Sequence, residues 1–111
     1  MYLCRSLRWH DDYGEMVGVI PADAVIEKKP VGRGYARFQP RETHPWPGVN
    51  GDDCPAHEFH YARLVSLPSD TCWASSVTRG HGINGEHDGI VHRNLLAGFL
   101  HQRHGTANPW V

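Results

Sequence analysis

The sequence predicts an α/β fold on three observations. Leu3 and Leu7 stand four apart with Met1 and Tyr2 beside them, which is the spacing of one helical face. From Met16 onward the apolar residues come in short runs bounded by Gly, Pro and Asp, the punctuation of strands. A chain of 111 residues that is 40% hydrophobic and 21% charged has material for one small core.

Taken in order, residues 1–9 read as the last turns of a helix, with no residue upstream to supply an N-cap. After Asp11-Asp12-Tyr13-Gly14, the runs Met16–Ile20 and Ala24–Ile26 read as a loop and strand pair. Gly34–Phe38 alternates with period two, as a half-buried strand does, and Pro40 stops it. From Arg41 to Pro55 the chain is a polar loop carrying Pro45, Pro47, Gly48 and Gly51. Strands are expected at Glu58–Leu67, Thr71–Thr78 and Gly89–Arg93, the last entered through the turn signal Asp88-Gly89. Leu95–His101 fits either a last strand or the start of a helix. The tail Asn108-Pro109-Trp110-Val111 ends on apolar residues, so both ends read as cut and residues 1–111 as part of a domain.

Several function classes are disfavoured by composition. The net charge of −1 and a pI near 6.7 offer no broad attraction to nucleic acid or to an anionic membrane. No apolar run approaches the roughly 18 residues that span a bilayer, and the start lacks a signal peptide's apolar region, so the cytoplasm is the expected compartment. Cys4, Cys54 and Cys72 are odd in number and irregular in spacing, which indicates neither a disulfide framework nor a zinc knuckle. Gly80-His81-Gly82 is only a fragment of a phosphate-binding loop, so ATP or NAD binding within these residues is unsupported.

Nine histidines are the unusual feature, and a polar site is their natural reading. In the segment Ala56-His57-Glu58-Phe59-His60-Tyr61, period two places Glu58 and His60 on one face and His57, Phe59 and Tyr61 on the other. That face could hold a site; it could equally be the solvated face of an edge strand. His57/His60 and His101/His104 share a spacing of three, which converges on a metal only from a helix, so no metal site is expected. His101, at the end of an apolar run, fits a hydrogen-bonded structural histidine as well as a functional one. None of the cysteines has the glycine neighbours that a nucleophile in a tight turn requires, so each reads as a small buried hydrophobe.

Five pieces in order carry a resemblance: Met1-Tyr2-Leu3-Cys4-Arg5-Ser6-Leu7, Glu15–Asp23, Gly32-Arg33-Gly34-Tyr35, His57-Glu58-Phe59-His60-Tyr61, and Asp88-Gly89-Ile90-Val91 through Gly98-Phe99-Leu100-His101. Together they resemble the C-terminal stretch of the cobyrinic acid a,c-diamide synthase family. The ending Arg103–Trp110 resembles that family's siroheme amidase branch. The resemblance implies a partial glutamine amidotransferase domain of the CobB/CobQ type over residues 1–111, with later strands and one helix of a flavodoxin-like class I amidotransferase.

It further implies glutamine-dependent amidation of a tetrapyrrole carboxylate, with ATP and Mg2+ bound in an N-terminal synthetase portion and no cofactor in these residues. His101 takes the place of the catalytic histidine, and Glu58 and His60 would lie near the site. The family's nucleophile stands in a Cys-Gly-Gly turn that would fall before Met1, so none of the three cysteines takes its place. Arg103 stands where other class I amidotransferases carry an orienting carboxylate, which leaves that role open. The alternatives are a non-catalytic, histidine-rich module that binds metal or tetrapyrrole, and an inactive remnant.

Overall fold

The computed structural model describes residues 1–46 and 52–105; Pro47, Gly48 and Gly51 of the polar loop, and the ending from Thr106 onward, lie outside the described residues. Among the described residues ten strands follow one another: β1 (Cys4–Trp9), β2 (Asp12–Glu15), β3 (Ile20–Ile26), β4 (Gly32–Pro40), β5 (Cys54–His60), β6 (Ala62–Val65), β7 (Trp73–Arg79), β8 (His87–His92), β9 (Leu95–Ala97) and β10 (His101–Gln102). No described residue is helical. The expected α/β, flavodoxin-like architecture is therefore wrong for this chain, which is built from two β-sheets.

The error starts at residues 1–9. A spacing of four is one helical turn, but it is also two strand repeats, so Leu3 and Leu7 could not decide between them. The deciding residues are Cys4 and Ser6, both buried, which alternate with the exposed Arg5. Both edges of β1 are used: it pairs with β2 antiparallel through Trp9↔Asp12 and with β3 parallel through Leu7↔Ala24. Leu95–His101, left between strand and helix, folds as β9, a turn and the start of β10. The segment Glu58–Leu67 is broken in two at Tyr61, where the chain leaves one sheet for the other.

The smaller sheet has the order β2-β1-β3-β6, and the larger has the order β10-β5-β4-β7-β8-β9. Apart from β1·β3, the strand pairings among the described residues are antiparallel. The corner at Tyr61 is held by backbone bonds on both sides: Val31 N–H donates to the His60 carbonyl at 2.9 Å, and Glu27 N–H donates to the Tyr61 carbonyl at 2.8 Å.

Small residues dominate the interior. Cys4, Ile20, Ala22 and Ala24 of the smaller sheet pack with Ile83 and Ile90 in one cluster. Ala36, Phe38, Cys54, Ala56 and Leu100 form a second cluster on the larger sheet. Among the described residues Phe38 is the largest fully buried side chain, so the second cluster is centred on it. Phe38→Ala is expected to cost roughly 3–5 kcal/mol, because the neighbouring alanines cannot move in to close the void. Urea denaturation monitored by far-ultraviolet circular dichroism measures this; a loss under about 1 kcal/mol would contradict the packing.

Candidate functional site

The sequence motif around residue 58 sits on β5, whose residues alternate between buried and exposed: Cys54, Ala56, Glu58 and His60 inward, Pro55, His57 and Phe59 outward. β5 is not an edge strand with a solvated polar face, because β4 lies on one side of it and β10 on the other. Glu58 is 2% exposed and His60 8%. Buried polar groups of this kind require partners.

Those partners come from the loop after β7. One Glu58 carboxyl oxygen accepts the His81 N–H at 2.7 Å and the other accepts the Gly82 N–H at 2.9 Å. Gly80 has φ +108°, and a Cβ there would lie 2.6 Å from Glu58 Oε1, so the close wrap of this loop requires glycine. The Gly80-His81-Gly82 fragment thus cradles an internal carboxyl group. His60 completes the group. Its Nδ1–H donates to the Ala62 carbonyl at 3.0 Å, its Nε2 stands 3.4 Å from Glu58 Oε2, and its ring stacks on Phe99 at 4.1 Å and 11°. Because a carbonyl only accepts, the Nδ1 carries a proton.

A second buried carboxyl uses the same device. Asp88 on β8 is 3% exposed. Its Oδ1 accepts the Phe99 N–H at 2.9 Å and its Oδ2 the Leu100 N–H at 3.2 Å. Burial pushes its pKa up, and the two amides and the nearby His60 offset this in part. Asp88 also lines a pocket of about 240 Å³ with Trp46, Ser75, Leu96, Leu100 and Gln102.

His101 does not join Glu58 and His60. It opens β10 directly across from His57, so its side chain shares the outer face of the larger sheet with His57, while Glu58 and His60 are on the inner face. Although it ends an apolar run, His101 is exposed, as is His104. The register instead assembles a row on the outer face. The His57 and His101 rings are 6.1 Å apart, and Tyr35 stands edge-on to His57, also at 6.1 Å. Sequence reading missed His57 as a neighbour of His101, since only the β5·β10 register pairs them. It also took Asp88 for a turn signal and no more.

Cys4 and Cys54 are buried, and burial pushes both thiols above their ordinary pKa, the setting of a structural cysteine rather than a nucleophile. Cys72 is exposed and stands just before β7. Among the described residues no three His, Cys, Asp or Glu side chains are grouped as metal ligands. No helix of the described residues is long and apolar enough to cross a membrane.

Two classes of carboxyl set opposite pH dependences. Asp88, with its folded pKa raised, contributes stability below its unfolded value of about 4 and loses it as pH rises through the folded pKa. Asp23, held down by the Ser6 hydroxyl and then by Arg5, does the reverse, as does Asp53, held by the Thr78 hydroxyl and then by Arg37. Their stabilisation is present above about pH 4 and is lost on acidification. In urea melts from about pH 4 to 7, Asp88→Asn should therefore gain more stability with rising pH than the unsubstituted chain. Parallel pH profiles would place Asp88 in contact with solvent.

Comparison with known proteins bears on this geometry. Residues 1–109 match the model of the CobB/CobQ-like glutamine amidotransferase domain. The chain is 36% identical over 111 residues to a cobyrinate a,c-diamide synthase of Magnetococcus marinus, covering 100% of the chain and 24% of that relative. A cobyrinate a,c-diamide synthase of Methanocaldococcus jannaschii is 36% identical over 110 residues, 99% of the chain and 23% of the relative. One from Haloarcula marismortui is 33% identical over 102 residues, 91% of the chain and 23% of the relative. The chain thus spans about a quarter of the length of the curated relatives it matches. No solved structure matches it. On the match over nearly its whole length, the chain belongs to the CobB/CobQ-like glutamine amidotransferase family.

Proposed function

We propose that these residues supply the histidine of a glutamine-hydrolysing site in an ATP-driven enzyme that amidates a tetrapyrrole carboxylate. The observation that carries the reading is the family match over residues 1–109, together with relatives that are cobyrinate a,c-diamide synthases. In this reading His101 is the general base. It takes the proton from a cysteine thiol outside these 111 residues; the thiolate attacks the glutamine carboxamide carbon, and the proton passes to the departing ammonia. Water then hydrolyses the thioester to glutamate. The exposure of His101 on the outer face of the sheet supports this, since a nucleophile borne elsewhere can reach its ring. Glu58 and His60 support the scaffold behind it.

ATP and Mg2+ belong, in this reading, to the synthetase portion. The amides of His81 and Gly82, the nearest thing here to a phosphate cradle, already bind Glu58. Ammonia released at the glutaminase site would attack the activated tetrapyrrole carboxylate there. Cobyrinate is the acceptor suggested by the relatives, and siroheme the one suggested by the ending from Arg103; assays with each acceptor separate them.

The chain alone is expected to release no glutamate from glutamine above background, because neither buried cysteine is a competent nucleophile. Glutamate release abolished by Cys72→Ala would overturn this. In a synthase whose matched quarter is replaced by this chain, His101→Ala should lower glutamine-dependent amidation on the order of 100-fold, the usual range for a general base. Amidation with free ammonia should continue. Parallel loss of both activities in a folded protein would assign His101 to the acceptor site instead.

A further inference from the structure

We infer that Asp88 is a positioning residue for His101, acting through the backbone of the turn that precedes it. The inference rests on the proposed role of His101, and it names what aims that histidine.

The strand that carries His101 cannot hold it alone. β10 has two residues, His101 and Gln102, and its described ladder to β5 is His101↔His57 and Gln102↔Ala56. So short a strand has little independent stability. The three residues before it are gripped instead. A Cβ at Gly98 would come within 2.2 Å of Asp88 Oδ2 and 3.1 Å of the Gly89 amide nitrogen, so only glycine lets the chain pass this close. The next two amides, Phe99 and Leu100, both donate to the Asp88 carboxyl.

The side chains of the same two residues are fixed from the other direction. The Phe99 ring stacks on His60, which contacts Glu58. Leu100 is buried in the cluster around Phe38. Phe99 and Leu100 are thus held from both the backbone and the side-chain direction, Gly98, itself exposed, is passed close against Asp88, and His101 leaves the turn onto the outer face opposite His57. Asp88 is the hub, because it binds two consecutive backbone groups of the turn and excludes a side chain at the third position.

Merely stabilising the domain would not require Asp88 to control where the His101 ring lies, and that difference can be measured on the 111-residue chain. In the unsubstituted chain, ring-proton NOEs are expected between His57 and His101 and between Tyr35 and His57, and the Phe99 and Leu100 amides should exchange slowly. Asp88→Asn keeps one acceptor oxygen and turns an NH2 group on an N–H. It should erase the His57–His101 NOE, leave the Tyr35–His57 NOE in place, and speed exchange at Phe99 and Leu100 on the order of tenfold. Gly98→Ala attacks the same grip from the backbone side and should reproduce this pattern.

A His57–His101 NOE that persists in both variants would overturn the inference, as would rapid exchange of the Phe99 and Leu100 amides in the unsubstituted chain. The latter needs no variant to fold. None of these readouts involves glutamine, so a failure here leaves the catalytic assay of His101→Ala to stand or fall by itself.

Discussion

Placing the Glu58 carboxyl in the interior of the larger sheet is the constraint on which much of the remaining structure depends. A buried acceptor without partners would cost about 1–3 kcal/mol or more, so amides must be brought to it. They come from a loop that must turn sharply beneath β5. That need explains the left-handed Gly80 and the proximity of the His81 and Gly82 amides. It also explains Gly32 across the ladder, where a Cβ would stand 2.4 Å from His60 Nε2 and 2.5 Å from Glu58 Oε2. Three separated stretches of sequence are tied together by one side chain.

Asp88 repeats the solution at the other end of the same interior. There the amides belong to Phe99 and Leu100, and the tight approach is at Gly98. The two carboxyl groups are linked through His60, which contacts Glu58 on its Nε2 side and stacks on Phe99. In a core where small residues, alanine and cysteine, outnumber large ones and Phe38 is the largest fully buried side chain among the described residues, such polar anchors take over part of the specifying work that large apolar side chains usually perform. Apolar packing alone would leave the loops after β7 and β9 weakly placed.

The inner and outer faces of the larger sheet consequently have different chemistry. Inside, ionisable groups are satisfied by backbone amides and are closed to solvent. Outside, Tyr35, His57 and His101 form a row across β4, β5 and β10, with their rings open to solvent. The proposed function gives that row its interest: a histidine acting as a general base there would have to meet a thiol and a substrate, and His101 on the outer face is exposed. The interior carboxyl groups hold backbone amides of the loops after β7 and β9.

Local pattern by itself determined much of this protein. The alternation around Glu58 separated the two faces of β5 correctly, because a period of two is a property of the extended chain and needs no neighbours. The strand around Phe38 was legible for the same reason, those around Val77 and Ile90 from short runs and the turn signal at Asp88-Gly89, and the order of short motifs was enough to indicate the family. Tertiary structure decided the rest. A spacing of four at Leu3 and Leu7 satisfies helix and strand alike, so only pairing with β2 and β3 made residues 4–9 a strand and the fold all-β. Whether Glu58 was solvated or buried depended on the loop after β7, which brings the His81 and Gly82 amides to it across more than twenty positions of sequence. The outward direction of His101, its partner His57 and the grip of Asp88 on the turn before it all arise from register between residues 11 to 44 positions apart, and register is fixed by packing rather than by local sequence.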